Sequence, residues 1–352
     1  MKNAQAKKVE WSRASVPVKC NLGRAIEGHI GAPPRQTRPL DEIVVVHNAS
    51  TDGTTEFADG ACVCAIIVTY NIGQALRRCF DSIRDQVAHV IIVDNGSDEI
   101  TRGELNKLAS ANSATIILNE RNEGIARALN QGVKCALSKK YPWVLTLDHD
   151  SEATPGMVEK LLRTAQLLHQ GGRRDVAIVG ANHLDRNAGV FLTRLRPVDD
   201  SGPVEVEHQR TSGSLINCDV FNKVGFFDEA LFMYYVDDDF CLRLRRAGFK
   251  LFLCPGAVLL HSEGSKQKRR FLWRKVFYDG YTKQARYYLT RNPFYILRKH
   301  HLGAHFYYAA TKRLLNDYVK VVLYDEAPVS QILFGLRGLF DALRNRYGPF
   351  NS

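Results

Sequence analysis

Residues 143–151 read WVLTLDHDS, and no other stretch constrains the fold as strongly. Val144, Leu145, Thr146 and Leu147 form a short apolar run of the kind that makes a strand buried in a parallel sheet. The run stops at Asp148, His149 and Asp150. In open α/β sheets, ligands bind outside the carboxyl ends of the strands. Two carboxylates one residue apart at such an end can both reach a hard divalent cation. Mg²⁺ favours one or two carboxylates together with substrate phosphates. A solvated Asp-rich turn is the plain alternative. The motif follows a buried strand and has partners on both sides, which favours the metal reading.

Those partners come from the alternation of strands and helices that begins at residue 61. Residues 62–69 are a nearly all-apolar strand ending at Thr69, Tyr70 and Asn71. Residues 72–86 have helical spacing, with Leu76, Phe80 and Ile83 on one face. A second buried strand covers 90–93 and ends in Asp94-Asn95-Gly96-Ser97, and a third covers 115–118. Residues 124–137 are helical, with Ile125, Leu129, Val133 and Ala136 inward. This order predicts a parallel, doubly wound sheet whose right-handed crossovers bring the strand ends to one edge. Tyr70, Asp94, Asn122 and Asp148 then converge. Tyr70 can stack on a flat base, and Asp94 can accept a hydrogen bond from the imide N–H of uracil or thymine. Asn122, Gly124 and Arg127 stand at a helix N-terminus, where backbone N–H groups favour anions. Asp148 and Asp150 can hold a metal that bridges a diphosphate. Together these residues describe a pocket for a nucleotide diphosphate.

The second half supplies the remaining chemistry. Thr211, Ser212, Gly213 and Ser214 make a small-residue turn into an apolar strand. Asp237, Asp238 and Asp239 open a helix, where acids are caps by default and are favoured by the helix dipole. Asp239 and Arg243 are four residues apart and can pair. An acid just outside the helix can instead serve as a general base. Residues 250–253 read as a strand, 254–256 as a turn and 257–260 as another strand. His261 ends that strand and is a fair third ligand beside the two aspartates.

Seven segments in chain order, TYN, VDNGS, NEGIARALNQG, LTLDHDS, SGSLI, YVDDDFCLR and LLHSEG, resemble the family 2 inverting glycosyltransferases of GT-A fold. The resemblance covers about residues 62–300 and is strongest to the rhamnosyltransferase branch, which reads similarly at LDxDS and YVDxxxCLR. It implies a Rossmann-like mixed sheet with helices on both faces, followed by a helical C-terminal region. By the same resemblance Thr69, Tyr70, Asn71, Asp94, Asn122, Gly124, Arg127 and Asp148 bind the donor. Asp148, Asp150 and His261 hold Mg²⁺ or Mn²⁺, and Asp237 is the catalytic base. Ser212, Gly213, Asp238 and Asp239 fall on the acceptor side. The implied reaction moves a sugar, L-rhamnose from dTDP-L-rhamnose, to a hydroxyl of a glycan or polyprenyl-linked acceptor. That chemistry belongs to cell-wall or surface polysaccharide biosynthesis. The alternatives are galactofuranose, glucose or N-acetylglucosamine from a UDP donor, or a non-catalytic module that binds a nucleotide-sugar.

The formal net charge of +11 points to an anionic partner without naming it. Nucleic acid is set aside, because it does not account for the seven segments. No apolar run approaches the roughly 18 residues of a membrane span, and the first residues hold no apolar signal-peptide core. The eight cysteines are scattered and read as reduced core residues. The expectation is a cytoplasmic protein, peripheral on the inner face of the cell membrane.

Three regions follow: an extension over 1–60, a catalytic domain over 61–264 and a basic, aromatic, helical region over 265–352. Within the first, residues 21–25 and 42–50 echo 71–75 and 89–97, as a partial duplicate of one strand-helix-strand unit would. In the last, the basic and aromatic residues of 266–299 suit an anionic membrane surface. A helical face packed on the catalytic domain is the alternative. Leu314, Leu315, Val321, Val322, Ile332 and Leu336 are the inward candidates of a helical 305–347.

Overall fold

The computed structural model describes residues 62–110, 114–186, 189–193, 202–261, 266–271 and 274–350, together with two short strands, β1 (Ser15–Pro17) and β2 (Val44–Val46). The chain divides into two compact units, Met1–Ala58 and Asp59–Ser352. In the first, β1 and β2 pair in parallel. Apart from β2, the sequence echo over 21–25 and 42–50 lies outside the described residues.

The second unit begins as the periodicity requires. Strands β3 (Val63–Thr69), β4 (His89–Asp94), β5 (Thr115–Leu118) and β6 (Trp143–Asp148) run parallel in the spatial order β6-β3-β4-β5. Helices α1 (Leu76–Ile83), α2 (Glu99–Ser110) and α3 (Ile125–Ser138) make the crossovers. The expected inward residues Leu76, Phe80 and Ile83 of α1 and Leu129, Val133 and Ala136 of α3 are all buried. Because β4 and β6 flank β3, the order reverses beside β3, and the crevice outside its carboxyl end is a topological switch point. Register fixes who meets there: Thr69 lies opposite Asp94, and Val68 opposite Asp148.

The rest of the sheet makes it mixed. After β7 (Glu152–Ala153) and α4 (Met157–Gln170) come β8 (Val176–Asp185), β9 (Val190–Phe191), β10 (Val204–Val206) and β11 (Ser214–Asn217). Strand β11 is antiparallel to both β6 and β8 and carries the chain across the sheet. Helices α5 (Asp219–Val224) and α6 (Val236–Arg246) precede β12 (Lys250–His261). The expected turn at 254–256 is a β-bulge inside β12, where the register with β8 shifts between Cys254 and Val258. Pro255 lacks an N–H to give the ladder, and a bulge accommodates it. Beyond the bulge β12 pairs with β7, Leu260 opposite Glu152, which brings His261 back beside the β6 loop.

The C-terminal region is not wholly helical. Residues 266–279 form an antiparallel hairpin of β13 (Lys266–Phe271) and β14 (Arg274–Asp279). Helices α7 (Lys283–Lys299), α8 (Ala304–Tyr324) and α9 (Pro328–Leu343) follow. On α7 the alternative to a membrane surface holds, since Tyr287, Tyr288, Arg286 and Arg291 are buried. Leu272 and Trp273 lie outside the described residues. Val321 is buried as expected, whereas Leu315, Val322 and Leu336 face outward. The reason is close helix packing. Gly335, Gly338 and Ala342 form the buried face of α9, and a Cβ at Gly338 would collide with the Tyr287 carbonyl. The small residues take the contact, and the large apolar ones are left outside. Among the described residues no helix is long and apolar enough to cross a membrane.

Candidate active site

The acids at the end of β6 meet His261 as the pattern predicts. One ligand atom from each of Asp148, Asp150 and His261 lies within 4.8 Å of the others. His261 Nδ1 is 3.5 Å from Asp150 Oδ1. Burial pushes the Asp148 carboxyl up to about 6, and the neighbouring Asp150 charge adds to the rise. Two carboxylates, that of Asp148 desolvated, crowded beside a histidine suit a divalent cation, so the donor set fits Mg²⁺ or Mn²⁺.

Hydroxyls scaffold this cluster. Ser212 Oγ accepts from the Asp148 N–H at 3.0 Å and lies 2.8 Å from Ser151 Oγ, which is 3.1 Å from His261 Nδ1. Ser212, expected on the acceptor side, is thereby tied to the loop that carries Asp148 and Ser151. Gly213 beside it is a backbone requirement. Its φ is +75°, and an added Cβ would come within 2.9 Å of Leu259. His149, which the motif reading left without a role, accepts the Tyr70 N–H at Nδ1, 3.1 Å away. Burial lowers its pKa, which favours the neutral ring that such an acceptor must be.

The other donor-side residues fall on the edge next to these. Asp94 is fully buried; its Oδ2 accepts from the Ser97 N–H at 3.1 Å. Its Oδ1 has no hydrogen-bond partner among the described residues, nor does the buried Thr69 Oγ1. Unpaired buried oxygens of this kind call for an explanation, and a ligand donor is one. Tyr70 is 42% exposed and free to offer a ring face. Asn71 and Asn122 serve the frame instead: Asn71 Oδ1 accepts from Asp98 N–H at 2.8 Å, and Asn122 Oδ1 from Asn95 Nδ2 at 3.0 Å and Gly124 N–H at 2.9 Å. Arg127 pairs with Glu123 at 3.2 Å on an exposed part of α3.

Gly124 joins the donor side to the candidate base. Its φ is +87°, and a Cβ there would lie 2.6 Å from the Phe232 carbonyl oxygen, which accepts the Ile125 N–H at 2.8 Å. Phe232 opens a tight turn in which Phe232, Tyr234 and Tyr235 all have positive φ, near +60°. Such conformations in non-glycine residues persist only where the surroundings over-determine them. Here two residues of α7 do so. Asn292 Nδ2 donates to the carbonyls of Leu231, Met233 and Tyr234 at 3.0, 2.7 and 3.0 Å. Arg291 donates to those of Ala230 and Leu231 at 3.1 and 3.2 Å. Neither residue carried a functional signal in the sequence. The turn delivers the chain into α6.

The three acids of α6 part company. Asp237 Oδ2 is 3.4 Å from His208 Nε2, and Asp238 Oδ1 is 3.8 Å from it. Burial opposes charge on His208, but the bond to Asp237 and the two nearby carboxylates outweigh it, and its pKa is raised. Burial pushes the Asp238 carboxyl up to about 6, with Asp237 adding to it. Asp239, expected beside them on the acceptor side, is instead fully buried. It takes Arg243 Nε at 2.7 Å, Lys299 Nζ at 2.7 Å and His300 Nε2 at 2.9 Å. The expected pairing with Arg243 therefore holds, and it anchors α6 to α7.

A mixed sheet with an acid-lined switch point, an unpaired Asp94 acceptor and a separate acid pair at a helix start defines a GT-A-like nucleotide-sugar transferase fold. Residues 64–234 match the family described as Glycosyl transferase family 2, so the chain carries a glycosyltransferase domain of that family. The resemblance to family 2 read from the motifs is confirmed. The chain is 27% identical over 250 residues to the dTDP-rhamnosyl transferase RfbF of Shigella flexneri, covering 68% of this chain and 80% of that protein. It is 22% identical over 299 residues to the low-salt glycan biosynthesis hexosyltransferase Agl10 of Haloferax volcanii, covering 80% and 91%. A solved structure of GalNAc-T7 with UDP, GalNAc and Mn²⁺ aligns with a TM-score of 0.47 at 16% identity, over 69% of this chain and about half, 52%, of that one.

Proposed function

We propose that this glycosyltransferase is inverting and moves L-rhamnose from dTDP-L-rhamnose to a hydroxyl of a glycan or polyprenyl-linked acceptor. The observation that carries the reading is the shared edge of β4 and β6. Asp94, with its unpaired Oδ1, and the Asp148–Asp150–His261 cluster stand at the ends of the two strands that flank β3, on the edge where a nucleotide and its diphosphate would lie. The rhamnosyl donor is supported by the likeness to the Shigella flexneri protein. The Asp94 acceptor suits the imide N–H common to thymine and uracil, so UDP-sugars are the second donor class.

In this mechanism Asp237 takes the proton of the acceptor hydroxyl. The oxygen attacks the anomeric carbon from the face opposite the nucleotide. The bond from that carbon to the diphosphate oxygen breaks, and the nucleotide diphosphate leaves with the electron pair. One displacement inverts the configuration and needs no covalent intermediate. Asp148, Asp150 and His261 would hold Mg²⁺ or Mn²⁺, which when bound supplies Lewis-acid stabilisation of the diphosphate charge. Tyr70 covers the base, and Asp94 fixes its edge.

The test is a donor screen that reads released nucleotide diphosphate across dTDP- and UDP-sugars, with and without chelator. The reading expects dTDP-L-rhamnose to be turned over fastest and chelation to abolish the release. Full release in excess chelator would overturn the metal assignment, and a UDP-sugar as the sole donor would overturn the rhamnosyl one.

A further inference from the structure

A second cavity, of about 300 Å³, opens between α7 and α8. Small-molecule sites begin at about this size. It shares no lining residue with the donor edge. Part of its wall is Tyr235, the last residue of the strained turn and two residues before Asp237. Three cations line it, Arg286, Arg313 and Lys320, against one acid, Asp317. Among the described residues none of the three cations forms an ion pair.

Arg286 is the telling one. It is only 4% exposed, yet its guanidinium is met by rings and neutral groups. The Tyr281 ring centroid is 5.4 Å away and that of Tyr318 5.8 Å, and Nε donates to Gln331 Oε1 at 3.4 Å. The Tyr278 hydroxyl, on a residue that also lines the cavity, donates to Asp325. Buried charges are ordinarily paired, because desolvation is expensive. Cation–π contacts offset part of that cost, and an anion in the cavity would offset more. Tyr235, in the cavity wall, caps the N-terminus of α6, and the first turn of that helix carries Asp237 and Asp238, so the cavity adjoins the end of α6 that holds the acid pair.

We infer that this cavity binds a phosphate or diphosphate group of the acceptor, the class presented by a polyprenyl-diphosphate-linked glycan or by a phosphorylated sugar. The inference rests on the reading of Asp237 as the base, since that is what makes the neighbouring cavity an acceptor site. Three unpaired cations would hold the anion while Tyr235 and Tyr281 wall the adjoining space. An acceptor anchored there would reach the acid pair along Tyr235. Leu315 and Val322, exposed apolar residues of α8, lie near Arg313 and Lys320 in sequence, as a lipid-linked source would use.

The experiment uses the full chain, first saturated with dTDP or UDP and Mg²⁺ so that the donor edge is filled. Geranyl phosphate and inorganic phosphate are then titrated calorimetrically. Arg313→Gln/Lys320→Gln is the variant of choice, because Arg313 is exposed and Lys320 half-buried, and their loss spares the core. The expected result is saturable phosphate binding by the native chain, weakened at least tenfold in the variant, with nucleotide affinity unchanged. Geranyl phosphate binding more tightly than inorganic phosphate assigns the site to a lipid-linked acceptor; equal affinities assign it to a free phosphorylated one. No phosphate binding, or equal affinity in chain and variant, overturns the inference. A chain that binds no nucleotide would count against the donor reading alone, and the same titration without nucleotide would still decide the cavity.

Discussion

Asn292 holds Met233. The side-chain amide of one donates to the carbonyl of the other at 2.7 Å across 59 residues of chain. Through this bond and its two companions to Leu231 and Tyr234, helix α7 fixes a turn whose backbone would otherwise relax. The same turn takes the first N–H of α3 on the donor side and ends two residues before Asp237. Donor loop and proposed base are thus parts of one rigid body, and α7 is its clamp.

Asn292→Asp keeps the size of the side chain and removes the donor that three carbonyls share. A misplacement of about 1 Å in a catalytic group can cost on the order of 10²-fold in rate. Steady-state kinetics should therefore show kcat falling by roughly 10–100-fold, with nucleotide affinity near that of the native chain. Asn292→Ala should also lower stability, by about 1–3 kcal/mol for each carbonyl left buried and unpaired. An unchanged kcat in both variants would reduce the clamp to scaffolding.

Asp239 offers the opposite prediction. Fully buried among Arg243, Lys299 and His300, it belongs to the frame. Removing one partner of a buried ion pair costs about 3–5 kcal/mol. Asp239→Asn should therefore shift the denaturant midpoint strongly, while the folded fraction turns over at close to the native rate. A stable but inactive Asp239→Asn protein would instead make this acid a member of the chemistry.

The acid pair sets a pH dependence. The Asp238 carboxyl is pushed up to about 6 by burial and by Asp237, so the second proton of the pair is lost near that pH. A negative Asp238 makes the neighbouring Asp237 a stronger base, so kcat/KM should rise with pH as Asp238 ionises through about 6. Asp238→Asn cannot ionise, so the step near 6 should disappear from its profile. The sign for stability is the reverse of the usual carboxylate case. A raised native pKa means that the folded chain holds the proton more tightly than the unfolded chain does. The stability it contributes is complete below the unfolded value and is lost as pH rises through about 6. Thermal melts should accordingly show Asp238→Asn gaining on the native chain as pH rises. A profile that Asp238→Asn leaves unmoved would separate Asp238 from the base.

That Asp94 and Asp148 share one edge of the sheet was legible because each ends a buried strand. The apolar runs before Asp94 and Asp148 fix the strands, and crossover handedness then fixes the edge. His261 was legible for the same reason, although the bulge at Pro255 that keeps its strand continuous was not. Pro-Gly signals a turn locally, and only pairing with β8 on one side and β7 on the other keeps the strand going. The hairpin over 266–279 was missed because a run of mixed basic and aromatic residues has neither period clearly. Asn292 and His208 left no local mark at all. Their partners lie 58 to 61 and 29 to 30 residues away, and nothing in their own neighbourhood names them. The outward leucine and valine residues of α8 and α9 show the limit of hydrophobicity itself. Backbone proximity at Gly335 and Gly338 decided that face, and side-chain polarity did not.

The proposed transfer depends most directly on Asp237. The decisive measurement is single-turnover kinetics of Asp237→Asn beside the native chain, with the donor that the screen selects and with donor affinity measured in parallel. With Asp237 as the base, the variant should be a folded protein that binds donor as the native chain does, with transfer slowed by about 10²–10⁴-fold. Transfer at the native rate by Asp237→Asn, with donor bound normally, would contradict it.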